Sequence, residues 1–118
     1  MKTIHLTINY EVSQKENFQK FLDKFQRENG LVFDIQRLAR YEKFREQFQA
    51  NILVQLSASS NAELVFQSLQ LANLFNMNSG GSVSVIGPVE NGEELDFEVI
   101  LNQDKPNQPV KWVHIQTV

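Results

Sequence analysis

Residues 48–63, Phe-Gln-Ala-Asn-Ile-Leu-Val-Gln-Leu-Ser-Ala-Ser-Ser-Asn-Ala-Glu, decide how this chain is read. Phe48, Ala50, Ile52, Val54, Leu56 and Ala58 recur at period two, the spacing of a strand with one buried face. Ser60-Asn61-Ala62-Glu63 follows at once and has the Ser-x-x-Glu form of a capping box, in which the hydroxyl accepts from a first-turn amide and the Glu reaches back. The segment therefore predicts a strand that runs directly into a capped helix.

The same order stands at the N-terminus. Ile4, Leu6, Ile8, Tyr10 and Val12 alternate with polar residues over 4–12, and Ser13-Gln14-Lys15-Glu16 repeats the capping form. Phe18, Phe21, Leu22 and Phe25 then fall at i, i+3, i+4 and i+7, opposite Lys15, Asp23, Lys24 and Arg27, and Asn29-Gly30 supplies a left-handed stop. In the second helix Val65, Leu69 and Ala72 share one line, while Leu64, Phe66, Leu71, Leu74 and Phe75 widen the apolar arc. That breadth predicts burial on more than one side, with Asn78-Ser79-Gly80-Gly81 as the stop. The two halves share a pattern and no sequence identity.

Residues 31–47 admit two readings. Leu31, Phe33 and Ile35 suit a strand, whereas Ile35, Leu38, Tyr41 or Glu42, and Arg45 suit an imperfect helix; the reading adopted is a strand to about Tyr41 and a hairpin into Phe48. Beyond the second helix, 82–89 reads as a strand broken at Gly87-Pro88, since proline removes a ladder donor. Asn91-Gly92 is a two-residue hairpin signal. Residues 94–101 alternate Leu95, Phe97 and Val99 with Glu94, Asp96 and Glu98, and Val110–Thr117 forms a last strand. The order strand, helix, strand, strand, helix, strand predicts one α+β domain over residues 1–118. Its expected architecture is a two-layer ferredoxin-like (split βαβ) sandwich with two extra C-terminal antiparallel strands.

Composition limits the chemistry. The 118 residues, 42% of them hydrophobic and nine of them Phe, suffice for one buried core. Cysteine is absent, which removes disulfides, thiolate nucleophiles, iron–sulfur ligation and sulfur-based zinc sites together. The first residues alternate instead of forming the apolar run of a signal peptide, and no segment reaches the roughly 18 to 20 apolar residues of a membrane span. A cytoplasmic location and no membrane partner are expected. The scattered Asn and Gln, among them Gln47, Gln49, Asn51 and Gln55, read as solvated surface.

Charge is unevenly placed. No Lys or Arg occurs between Arg45 and Lys105, a stretch that holds Glu46, Glu63, Glu90, Glu93, Glu94, Asp96, Glu98 and Asp104, and the whole chain carries −3. Glu94, Asp96 and Glu98 would project from one strand face at steps of roughly 7 Å. Such a row suits the protection of a strand edge, or docking on a basic partner; it lacks the loop form of a calcium site. Trp112 fits core packing or, if it lies on the face away from the helices, an anchor beside those carboxylates. Val110 and His114 would share its face, with Val113 and Ile115 on the other.

Arg37, Arg40, Lys43 and Arg45 interleave with Tyr41 and Phe44, the mixture that single-stranded RNA surfaces use, diluted here by Glu42 and Glu46. His5 and His114 are the two histidines, and they could meet only if the first and last strands were neighbours. No Gly-x-Ser-x-Gly elbow and no His-Glu-x-x-His motif is present. Gly80-Gly81 follows a helix, where the dipole end is negative, and so does not cradle phosphate. No enzyme, cofactor or metal is expected. The sequence points to a non-catalytic protein-binding domain that docks on a basic partner through Glu90, Glu93, Glu94, Asp96, Glu98 and Trp112. A concrete instance is an immunity or antitoxin protein neutralising a cationic, nuclease-type toxin. The alternatives are a ligand-binding regulatory homodimer and an RNA binder through residues 37–45, although the net acidity disfavours nucleic acid.

Overall fold

The computed structural model describes residues 2–43, 46–75, 77, 81–86, 96–103 and 108–117, with 81–86 and 96 as backbone course alone. Eight elements follow one another: β1 (Lys2–Glu11), α1 (Lys15–Asn29), β2 (Phe33–Arg40), β3 (Gln47–Leu56), α2 (Asn61–Leu74), β4 (Gly81–Ile86), β5 (Asp96–Asn102) and β6 (Val110–Thr117). The architecture is α+β. The strands form one sheet in the order β2-β3-β1-β6-β5-β4, every neighbouring pair antiparallel. Residues 33–40 are thus a strand, and the helical alternative fails. The last strand in sequence lies inside the sheet against β1, and the extension beyond it is made by β5 and β4.

Both helices cover one face. The even residues of β1 (Ile4, Leu6, Ile8, Tyr10) join Ala50, Ile52 and Val54 of β3, Phe97 and Val99 of β5, and Val113 and Ile115 of β6 in one core with Phe18, Leu22, Phe25, Leu64, Leu71 and Phe75. Phe25 of α1 stacks on Phe75 at the end of α2, with ring centroids 4.6 Å apart. At the other end of α1, Tyr10 stacks between Phe18 at 4.9 Å and Phe21 at 4.7 Å, and burial raises the pKa of its phenol. The expected breadth of burial of α2 is corrected. Phe66, at 62% exposure, Leu69 and Leu74 face away from the core, because a helix lying on a single sheet buries only one of its sides.

The two capping boxes part company. Ser60 is the N-cap of α2 and its hydroxyl accepts from the Glu63 amide at 3.2 Å. The Glu63 carboxylate reaches back one residue further than expected, accepting from the Ser59 amide at 2.9 Å and hydroxyl at 3.1 Å. In α1 the N-cap is Gln14, with no side-chain cap, so the Ser13 box is not formed. Gly30 does end α1 in the left-handed region at φ 62°, and Leu31 donates to the Gln26 carbonyl. α2 instead ends at Leu74, and Gly81 opens β4; the rest of the stop expected there lies outside the described residues, as do Gly87-Pro88 and Asn91-Gly92. Ser60→Ala is expected to cost about 1 kcal/mol. Ser13→Ala is expected to change stability by less than about 0.5 kcal/mol. Paired urea titrations followed by circular dichroism check both, and equal losses would contradict this difference between the helices.

Candidate functional site

The face of the sheet away from the helices carries the odd residues of β1 and β3, with Glu98 and Ile100 of β5 and Trp112, His114 and Gln116 of β6. Among the described residues no helix covers it. The strand register places these side chains. Asn9 is opposite both Gln49 and Trp112, Thr7 is opposite Asn51 and His114, and Asn102 is opposite Trp112.

Two breaks in the ladder shape this face. In β6 the pairing passes from Asn9↔Trp112 to Tyr10↔Val110, leaving Lys111 as the extra residue of a bulge. Bulges re-aim side chains, and this one separates Val110 from Trp112. Val110 therefore joins the core, a correction to the expectation that it shares the face of Trp112 and His114. Gln103, only 3% exposed, satisfies the bulge: its amide donates to the Lys111 carbonyl at 2.9 Å and its side chain to the Val110 carbonyl at 3.3 Å. The second break leaves Gln36 unpaired in β2, so that Arg37 pairs with Asn51.

Of the acidic positions, Glu98 is described in full. Its carboxylate meets His114 Nε2 at 2.6 Å, and the His114 ring lies 5.3 Å from that of Trp112. Trp112, half-buried on the open face, thus lies against the ring that Glu98 engages. Asp96 begins β5, while Glu90, Glu93 and Glu94 lie outside the described residues. β1 and β6 are neighbours, yet His5 pairs with Gln116 and the imidazole of His114 is engaged by Glu98. The basic segment is also divided. Arg37 lies opposite Asn51, Arg40 places its guanidinium 4.6 Å above the Phe48 ring, and Phe44 and Arg45 lie outside the described residues.

At the end of the sheet where β1 finishes and β3 begins, a cleft of about 670 Å³ opens on this face. Its floor is Asn9 and Glu11 of β1 with Gln47 and Gln49 of β3; Tyr41 and Lys43 border one side, and Trp112, Lys111, Asn102 and Gln103 the other. Asn9 is only 4% exposed and accepts from Gln49 Nε2 at 2.9 Å, which fixes part of the floor. Backbone bonds frame the ends, from the Glu11 amide to the Pro109 carbonyl at 2.7 Å and from the Tyr41 amide to the Gln47 carbonyl at 2.8 Å. The volume lies in the range of small-molecule sites, which combine aromatic walls with a few placed polar groups.

This cleft is not legible in the sequence, because its amides read as solvated surface. The available signal was Asn9, Gln47, Gln49 and Asn51 on the polar alternates of two strong strands, since Asn is depleted from strands. Among the described residues, no group of three or more His, Asp or Glu side chains gathers as a metal site, and no helix is long and apolar enough to cross a membrane. No family model matches the chain, and neither the curated proteins nor the solved structures compared with it include a match.

Proposed function

We propose that the chain is a non-catalytic binding domain that docks on a basic protein through the open sheet face on the β5 and β6 side. The observation that carries the reading is Trp112 on the face away from the helices, with His114 and Glu98 beside it. Anchors of this kind, an aromatic ring flanked by groups that complement the partner, dominate interface energetics. The acidic half of the chain supplies the field. Glu90, Glu93, Glu94, Asp96 and Glu98 occur in a stretch without bases, and an acidic cluster speeds encounter with a cationic surface.

A nuclease-type toxin is the concrete partner, because a site that receives phosphates is basic, and an immunity protein blocks it by complementary charge. The fold is compatible and gives no vote. We read β1-α1-β2-β3-α2 with β6 as a ferredoxin-like arrangement, β6 holding the place beside β1 and β5 and β4 extending the edge. The test is affinity capture from the source cell at low and moderate salt, with wild type beside the Glu94→Lys, Asp96→Lys, Glu98→Lys variant. A basic protein retained by wild type, released by salt and missed by a folded variant is the expected result. Equal capture by both proteins would remove the acidic surface from the function.

A further inference from the structure

We propose that the cleft between Tyr41 and Trp112 binds a nucleotide, with its nucleobase stacked on Tyr41 and its phosphate met by Lys43. The inference goes beyond protein docking and uses the end of the open face away from Glu98, which lies four residues along β5 from Asn102, with Trp112 on the border between the two sites. Each wall of the cleft combines a ring with a cation, Tyr41 with Lys43 and Trp112 with Lys111. Tyr41 follows β2 and Trp112 lies in β6, and those strands are three spacings of about 4.8 Å apart, so the backbones that carry the two rings are roughly 14 Å from each other across the floor. They frame a floor and do not close on a single plane.

That floor consists of carboxamides, Asn9, Gln47 and Gln49, which both donate and accept hydrogen bonds and so match the mixed edge of a base. A neutral sugar would use the rings and amides, whereas a phosphate also uses the charge of the two lysines. The chain carries −3 in total, yet this lining sets Lys43 and Lys111 against Glu11, and the local field governs what enters a cleft. A smaller cavity of about 180 Å³ shares Tyr41 and Gln49 with the cleft and continues to Arg37, Arg40 and Asn51. It adds two further cations against Glu42. One chemistry, a base carrying phosphate, can arrive as a free nucleotide or as single-stranded nucleic acid, and the groove past Tyr41 gives a strand somewhere to continue.

Trp112 is the sole tryptophan, so its emission reports the cleft directly. The experiment titrates the full chain with AMP, ATP and a short oligouridylate, reading Trp112 quenching, with equilibrium dialysis as a second measure. Saturable binding is expected, weakened about tenfold or more by Tyr41→Ala, as for loss of a stacking ring. Lys43→Glu should also weaken it, while Glu98→Lys leaves it unchanged. Tighter oligouridylate binding with a steep salt dependence assigns the site to single strands; similar affinity for AMP and the oligomer assigns it to free nucleotide. No binding of any of the three at millimolar concentration by dialysis, or full affinity in folded Tyr41→Ala and Lys43→Glu variants, would overturn the inference. Because these variants leave Glu98 in place, its failure and that of the docking surface are read separately.

Discussion

Phe18→Ala is expected to remove about 3 to 5 kcal/mol of stability, the usual cost of emptying a large aromatic site in a closed core. The ring is fully buried and lies nearly parallel to Tyr10, 4.9 Å away with an interplanar angle of 4°. Truncation removes apolar burial and the stacking partner together, and leaves a void between α1 and the end of β1 at Tyr10. Domains of this size are stable by only about 5 to 15 kcal/mol, so the variant should unfold at much lower urea. Phe66→Ala supplies the contrast. Its ring is mostly exposed on α2, and the change should fall within roughly 0.5 kcal/mol apart from helix propensity. Urea titrations of both variants by far-ultraviolet circular dichroism measure the difference. Similar midpoints would mean that the core is not built around α1 as described.

The contrast also shows what the sequence could convey. Period-two spacing named every buried residue of β3 from Phe48 to Leu56, because a sheet covered on one side sorts its side chains strictly by parity. Helix α1 was legible for the same reason, its narrow apolar stripe leaving one choice of buried face. In α2 the apolar residues run nearly all round, so spacing could not select which line meets the sheet. Leu64, Leu71 and Ala72 are buried, while Leu69, on the same line as Ala72, is not. Strand order was likewise hidden, since β6 reaches β1 only after two intervening strands, and nothing local to Val110–Thr117 encodes that partner.

The site was less legible than the fold for a related reason. Its shape depends on the Lys111 bulge, which depends on buried Gln103 meeting two carbonyls of β6. Alternation through Val110, Trp112 and His114 gives no sign of an extra residue, so parity placed Val110 on the wrong face. Amide side chains compound the difficulty. Gln49 looks like solvent-facing polarity until its hydrogen bond to Asn9 and its place under Tyr41 are known. The carboxylates, by contrast, were visible as charge, and the one described in full proves to be tied to His114.

Trp112→Ala is the second large effect expected, a loss of at least about 2 kcal/mol in binding the basic partner, or roughly thirtyfold in Kd. The magnitude follows from the placement of the ring. On the open face Trp112 keeps a minor part of its surface exposed, which a partner can still remove from water, whereas a ring buried in the core would have nothing left to contribute. What the fold loses is the side of the ring that the sheet already covers, including its contact with His114. Melting should therefore shift by only a few degrees, which separates this variant from Phe18→Ala, where binding would fail through unfolding. Trp112→Phe should recover part of the affinity, because apolar contact is restored while ring area and the indole N–H are not. Calorimetric titration with the captured partner measures the series. If Trp112→Ala binds as tightly as wild type while Glu98→Lys does not, the anchor is absent and the interface is electrostatic, with affinity that salt alone should erase. If both substitutions weaken binding, the carboxylate acts mainly on the association rate and the indole on dissociation, since rim charge steers encounter and buried apolar area holds the complex.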